Sequence, residues 1–88
     1  MVIYGLRGFT HGWGIILTVM SPAGDSAVRA LIEPGPDIVA TGGGGQLTQY
    51  QGKRKGALER LIEAHGIIVL DKAAWDAKKA ELGDAIRR

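Results

Sequence analysis

Short apolar runs separated by turn residues dominate the first half of the chain, a pattern typical of β-strands. Residues 2–6 are mostly apolar, and residues 15–20 form an apolar run with β-branched side chains that Ser21 and Pro22 close. We expect a strand in each segment. Residues 9–14 contain two glycines and are predicted to form the turn between these strands.

Residues 27–33 fit two interpretations. Val28, Ala30 and Ile32 occupy alternate positions, and turns containing proline stand on both sides, which favours a strand. Alanine, leucine and arginine are also good helix formers, so a short helix over residues 26–33 is the alternative. We expect the strand.

Two further segments follow, joined by a run of glycines. Residues 38–41 are predicted to form a short strand, and residues 46–51 an irregular strand or a loop. A phosphate-binding loop would run directly into a helix, whereas Lys53 comes eight positions after the last glycine. We therefore expect a connector rather than a phosphate site at the four glycines Gly42, Gly43, Gly44 and Gly45.

The spacing of apolar residues changes after residue 53. A helix is predicted near residues 54–65, and Gly66 suits the left-handed conformation that ends such helices. Residues 67–70 are wholly apolar and are predicted to form a buried central strand. The helix prediction rests on four residues spaced as one helical face, Leu58, Leu61, Ile62 and His65.

A last helix is predicted from Asp71 to about Arg87. Asp71 is a favourable N-cap residue, and Trp75 and Leu82 share the apolar face. Gly83 weakens this helix, because glycine is a poor helix former.

Together these elements predict a single α+β domain over residues 1–88. Residues 1–50 are rich in strands and turns, and residues 51–88 form helix, strand and helix. The sheet is expected to be small and mostly antiparallel, with three to five strands and the two C-terminal helices packed on one face. Residues 38–41 and 67–70, with the helix between them, are predicted to form a right-handed βαβ crossover.

Composition limits the classes of function. The chain has 88 residues, 14 glycines, no cysteine and a formal charge of +2. Such a short chain buries a small core, and disulfides cannot stabilise it, so association with a protein partner or with a second copy is expected. No run is long and apolar enough for a transmembrane helix, so no membrane role is expected. The cytoplasm is the default compartment, because a signal-peptide pattern is met only loosely.

The most distinctive polar cluster is a run of three bases, Lys53, Arg54 and Lys55, which follows Tyr50 closely. Bases beside an aromatic residue can contact phosphates and stack a nucleobase. The alternative is a solvated loop at a helix start. The opposing observation is that the net charge is small, so nucleic-acid binding is the second hypothesis rather than the first.

Catalytic and metal-binding patterns are weak. His11 and His65 are the only histidines and have no ligand spacing around them, so no metal or cofactor is expected. Ser21 and Ser26 stand beside turn residues without a nucleophile motif. The short chain also leaves little room for a pocket of ordinary size, so we do not expect an enzyme.

Three aromatic residues, Tyr4, Phe9 and Trp13, stand in the glycine-rich opening segment. Core packing is one role for them, and contact with a partner is the other, because tyrosine and tryptophan are enriched at interface hot spots. The first hypothesis is therefore a non-enzymatic binding or assembly protein that acts through its surface. Its composition is typical of an accessory protein from a high-GC bacterium or its phage.

Overall fold

The computed structural model describes residues 1–10, 14–40 and 47–83. These residues form five strands and three helices in the order β1, β2, α1, β3, β4, α2, β5, α3. Their bounds are β1 Tyr4–Thr10, β2 Gly14–Met20, α1 Asp25–Leu31, β3 Ile38–Ala40, β4 Thr48–Gly52, α2 Ala57–His65, β5 Ile68–Leu70 and α3 Lys72–Leu82.

The five strands form one mixed sheet in the order β3-β4-β2-β1-β5. The pairs β1–β2, β2–β4 and β3–β4 are antiparallel, and β1–β5 is parallel. The predicted fold class, α+β with a small, mostly antiparallel sheet, is therefore confirmed. Residues 46–51 were predicted to form an irregular strand or a loop, and the observed structure is strand β4, Thr48–Gly52.

The longest pairing joins β1 and β2, from Tyr4 opposite Met20 to Thr10 opposite Gly14. Phe9 and Thr10 thus belong to a strand, not to the predicted turn. Successive side chains in a strand point to opposite faces of the sheet. The register therefore also determines which residues of β1 and β2 lie on the same face.

One face of the sheet carries α1 and α2 over the main core. The buried side chains there come from alternate strand positions, such as Leu17 and Val19 of β2, and from both helices. Burying about a dozen such side chains provides the main stabilisation of the fold. The members are Ile3, Leu17, Val19, Val28, Ile32, Ile38, Tyr50, Ala57, Leu58, Leu61 and Ile67.

The other face of the sheet carries α3. Trp75 of α3 is 2% exposed and is clustered with Met20, and partly buried residues pack around the pair. Lys78 of α3 places its ammonium 4.9 Å from the centre of the Tyr4 ring. Of the two C-terminal helices that were predicted to share one face, α2 lies with α1 on one face and α3 lies on the opposite face. Strand side chains alternate between the faces, so each face has its own apolar cluster for a helix to cover.

The strand predicted for residues 27–33 is wrong, because α1 begins at Asp25 and ends at Leu31. Val28 and Ile32 are buried, whereas Ala30, between them, is exposed. A spacing of four residues fits a helix as well as a strand, so the apolar pattern alone did not distinguish them. The short helix that was the alternative is the observed structure.

The central strand predicted for residues 67–70 is also wrong in its position. β5 lies at one edge of the sheet and β3 at the other, so the predicted βαβ crossover between them does not form. β5 instead pairs with β1, from Tyr4 beside Ile68 to Leu6 beside Leu70. An apolar run indicates burial but not which strand lies beside it, because pairing is non-local.

The predicted end of α2 and the predicted start of α3 are confirmed. Gly66 ends α2 in the left-handed conformation, with φ 60° and ψ 35°. The Asp71 carboxylate accepts a hydrogen bond from the Ala74 N–H at 2.8 Å and so caps α3. α3 ends at Leu82, and the rest of the predicted helix beyond residue 83 lies outside the described residues. None of the helices in the described ranges combines the length and apolarity needed to cross a bilayer.

Candidate functional site

The basic run lies in the short loop that connects β4 to α2. Lys53, Arg54 and Lys55 are exposed, and the loop is fixed at both ends by backbone hydrogen bonds. The Lys53 N–H donates to the Asp37 carbonyl at 2.7 Å, and the Ala57 N–H donates to the Arg54 carbonyl at 3.1 Å. The three bases are therefore presented by an ordered turn at the start of α2.

An open concavity of about 630 Å³ adjoins this basic loop. The loop forms one wall, and the start of β2 and the first turn of α2 complete it. Its lining residues are Gly14, Ile15, Gly52, Lys53, Arg54, Lys55, Gly56, Leu58 and Glu59.

Two carboxylates moderate the charge around the basic loop. Asp37 accepts from Arg54 at 3.1 Å and lies 3.8 Å from Arg60. Glu59 accepts from Arg7 of β1 at 2.7 Å. A backbone hydrogen bond at Glu59, and then the nearby Arg7 guanidinium, lower the pKa of the Glu59 carboxyl.

Lys53 and Lys55 differ from Arg54 in their ion pairing. Within the described part of the chain, neither lysine has a carboxylate within ion-pair distance, while Arg54 is paired with Asp37. Their positive charge also stands at a helix N-terminus, where the helix dipole disfavours it.

Tyr50 lies apart from the three bases. Its side chain is 1% exposed and belongs to the main core, and it does not line the basic concavity. Its ring is therefore not available at the surface to stack on a nucleobase. The second hypothesis depends on the three bases alone.

The three aromatic residues of the opening segment have different positions. Tyr4 is partly buried against the Trp75 cluster on the α3 face, with Lys78 over its ring. Phe9 lies in β1, but its side chain is outside the described set, and Trp13 lies outside the described residues. Tyr4 thus packs partly within this chain. The contact role of all three aromatic residues stays a prediction.

A buried polar network that the sequence analysis did not identify joins α1 to β4. Asp25, the first residue of α1, is 6% exposed, and Thr48, the first residue of β4, is 1% exposed. The Thr48 hydroxyl donates to one Asp25 oxygen, and the other Asp25 oxygen lies 3.2 Å from Arg29 Nη2. Arg29 Nε also donates to the Thr48 hydroxyl at 3.4 Å.

A second concavity, of about 410 Å³, opens beside this network. It lies between the C-terminal end of α1 and strands β3 and β4, and it contains both charged and apolar groups. Burial, followed by the charge of Asp25, raises the pKa of the Tyr50 hydroxyl, and Arg29 opposes that effect. The lining residues are Arg29, Ile32, Glu33, Pro34, Ala40, Thr48 and Tyr50.

The signal that could have revealed this network is the spacing of Asp25 and Arg29. These residues are four positions apart, which places them on one side of a helix. The strand predicted for residues 27–33 left Asp25 in the turn before it, so the helical spacing of Asp25 and Arg29 was not recognised. Both concavities also exceed what the short chain led us to expect, because volumes of 300–1,000 Å³ are ordinary for ligand pockets.

The β5 edge is a third candidate surface. Ile68 and Val69 are 46% and 40% exposed, and the neighbouring Met1 and Val2 are 57% and 48% exposed. The Ile68 N–H donates to the Ile3 carbonyl at 2.9 Å, toward β1. Because backbone groups alternate in direction along a strand, the N–H and C=O of Val69 face the open side.

Of the histidines and serines considered for metal binding or nucleophilic catalysis, the structure describes His65, Ser21 and Ser26. His65 is partly buried at the end of α2, and His11 lies outside the described residues. The Ser21 hydroxyl is buried and accepts a hydrogen bond from the Ala23 N–H at 2.9 Å, as in a local turn. Across the ranges that the structure describes, no three potential metal ligands come together. The glycines at residues 42–45 lie outside those ranges.

Comparison with known proteins adds no relative to these observations. No protein-family model, curated protein or solved structure matches the chain.

Proposed function

We propose that this protein is a non-enzymatic binding or assembly protein that associates through the β5 edge of its sheet. The observation that carries the proposal is the combination of outward-facing backbone groups with the exposed side chains of Ile68 and Val69. An added strand would satisfy those backbone groups and cover those side chains, as in β-strand addition. The cytoplasm stays the expected compartment.

The chemistry of β5 favours such pairing. Residues 66–70 contain no charged residue and no proline, although charges and prolines are the features that usually protect a sheet edge. The apolar surface continues onto Met1 and Val2. The strand is only three residues long, so backbone pairing must be supplemented by contacts from these neighbouring side chains.

Pairing with a second copy is the simplest form of this proposal. Two β5 edges related by a two-fold axis would run antiparallel, and the same apolar residues would meet across the axis. A partner protein that supplies its own edge strand would use the same groups. In both cases, a charge placed on β5 should prevent the association.

The test uses matched lysine substitutions on the two edge strands. Val69 is the central residue of β5, and Val39 is the central residue of β3; each is 40% exposed. We expect the wild-type protein and Val39→Lys to show a mass above the monomer at high concentration by sedimentation equilibrium. Val69→Lys should remain monomeric, because the lysine must lose its hydration at the interface.

Circular dichroism and urea unfolding should first show that both variants are folded. Affinity capture with the same three proteins then tests a partner of a different sequence, which should be retained by wild type and Val39→Lys but not by Val69→Lys. The proposal is wrong if wild type is monomeric throughout and the two variants behave alike in capture.

The concavity beside the basic loop favours a second candidate function, binding of a nucleic acid through its phosphates. Lys53 and Lys55 are exposed beside a space of about 630 Å³, and their charges are not paired with carboxylates among the described residues. Phosphate oxygens are suitable partners for such lysines. This candidate uses a different surface from the β5 edge, so the two can be tested separately.

A single-stranded oligonucleotide distinguishes the second candidate. Replacing Lys53 and Lys55 together by glutamine should abolish binding and its dependence on salt. Replacing Lys72 and Lys79 of α3 by glutamine removes the same charge elsewhere and should leave most of the affinity. Equal losses in the two double variants would show that only net charge matters.

A further inference from the structure

We propose that the concavity between α1 and the β3–β4 strands binds a small zwitterion of the amino-acid type. In this arrangement Arg29 receives the carboxylate, the Tyr50 hydroxyl is a second donor, and Glu33 receives the amine. This site is separate from the β5 edge and from the basic loop. It does not depend on the proposed function.

Arg29 is held in a defined orientation from behind. Its Nε donates to the Thr48 hydroxyl, and its Nη2 lies 3.2 Å from the Asp25 carboxylate. These two contacts use the side edge of the guanidinium. The end edge, where Nη1 and Nη2 each present an N–H, is left to bind a carboxylate in a bidentate manner.

The support for Arg29 is buried, whereas Arg29 itself reaches the surface. Asp25 and Thr48 are nearly inaccessible to solvent, and the Arg29 side chain is 50% exposed. Asp25 therefore needs Arg29, because a buried carboxylate without a partner is costly. The same pairing orders the guanidinium before any ligand binds, which reduces the entropy lost on binding.

Tyr50 provides a neutral donor on the same strand face as Thr48. It lies two residues further along β4 and lines the concavity. Burial and the Asp25 charge raise the pKa of its hydroxyl, so the hydroxyl keeps its proton at physiological pH. A protonated phenol can donate to a carboxylate oxygen.

The opposite charges of Arg29 and Glu33 select the ligand class. Both residues line the concavity, and Glu33 follows the C-terminal end of α1. A simple anion would meet repulsion from Glu33, whereas a zwitterion satisfies both charges. The remaining wall contains Ile32, Pro34 and Ala40, which suit an apolar side chain.

The volume is consistent with a ligand of this size. About 410 Å³ lies toward the lower end of the range for small-molecule pockets. The concavity is open, so a weak and readily reversible complex is expected. A binding role of this kind needs no bond to be made or broken.

The experiment is an NMR titration of the full chain with an equimolar mixture of the standard amino acids, followed by each amino acid alone. The shifts should centre on the backbone amides of Thr48, Tyr50 and Ile32 and on Arg29 Nε. For the tightest-binding amino acid, the amide derivative lacks the carboxylate and the deaminated acid lacks the amine. Each analogue should bind at least about tenfold more weakly, because each loses one or more charge-assisted hydrogen bonds.

Two conservative variants keep the Asp25 network and test the ligand contacts. Tyr50→Phe should weaken binding about tenfold or less, because it removes one donor. Glu33→Gln should weaken binding of the amino acid but not of its deaminated analogue. Glu63→Gln, an exposed change of the same type on α2, should have no effect.

Arg29→Lys should abolish detectable binding, because lysine cannot reproduce the bidentate end of the guanidinium. Urea unfolding separates this loss from a loss of folding. No shifts at millimolar amino acid, or shifts centred away from the concavity, would overturn the proposal. Equal responses of Glu33→Gln and Glu63→Gln would overturn the role of Glu33.

Discussion

The two edge strands of the sheet are equal in length but differ in how far the residues around them hinder pairing with another strand. β3 and β5 each have three residues, and the central valine of each is 40% exposed. β3 follows Pro36 and Asp37, and Asp37 holds Arg54 and Arg60 beside that edge.

β5 lacks comparable protection. The chain from Gly66 to Leu70 is uncharged, and the first charge, Asp71, caps α3. If β5 associates as proposed and β3 does not, exposure of a valine is not by itself enough to mark an interface. The charged and proline residues around the strand decide whether another strand can approach.

The largest difference in stability between the two edges is expected when the side chain that packs beneath β5 is removed. Trp75 is 2% exposed and packs α3 against the sheet, in a cluster that includes Leu70. Trp75→Ala should lower the free energy of unfolding by about 3–5 kcal/mol, because it leaves a large cavity. Urea unfolding measures the loss.

Hydrogen exchange in the same variant tests where the loss occurs. If Trp75→Ala leaves a folded population, protection should fall in β5 and α3 before it falls in β3. Uniform loss along the chain would show that the α3 cluster and the main core unfold as one unit. Leu31→Ala, at a residue 48% exposed, is the control and should change stability little.

A smaller effect is expected from adding one methyl group inside the main core, next to the residue that precedes β5. A Cβ on Gly5 would lie 2.9 Å from Ile67 Cγ2 and 3.0 Å from Leu17 Cδ1. Gly5→Ala should therefore destabilise the fold by about 1–3 kcal/mol through overpacking. Gly8→Ala on the same strand has no atom within 4 Å of its added Cβ and should be nearly neutral. Equal urea midpoints for these variants would contradict the close packing at Gly5.

Signals that act between neighbouring residues predicted the structure best. The strand at residues 15–20, the end of α2 at Gly66 and the Asp71 cap depend on neighbouring residues and are confirmed. Their physical causes, namely β-branched side chains, a left-handed glycine and a capping carboxylate, act within a few positions.

Features that depend on distant residues could not be predicted in this way. The position of β5 at the edge depends on β1, more than sixty residues earlier. The Asp25–Thr48 hydrogen bond joins residues 23 positions apart, so neither side chain is distinctive in its own segment. The α1 helix was missed for a different reason, because Val28 and Ile32 fit both periodicities.

Removal of the Asp71 cap, which follows β5, should lower the free energy of unfolding by about 1 kcal/mol. Asp71→Ala removes the acceptor for the Ala74 N–H and should destabilise α3 by about that amount. Asp71→Asn retains an oxygen acceptor and should lose less. Thermal or urea unfolding of the two variants checks the order, and equal losses would show that the cap acts through its charge rather than through the hydrogen bond.

The smallest effect on stability is expected at the β3 edge. Asp37→Asn weakens the ion pairs with Arg54 and Arg60, which are largely exposed, so the loss of stability should stay below about 1 kcal/mol. The variant also removes a charge beside β3. Sedimentation of Asp37→Asn together with Val39→Ile tests whether β3 then associates as we propose for β5. Unchanged sedimentation would show that the prolines suffice to protect it.

The parallel pairing of β1 with β5 has a consequence during synthesis on the ribosome. The β1–β2 hairpin can form as soon as its own residues have emerged, but the strand that covers the other side of β1 is translated some fifty residues later. Until then the nascent chain exposes the unpaired side of β1, and an unpaired strand edge is the kind of surface that favours misassembly. A pause in translation before residue 68 would prolong that exposed stage.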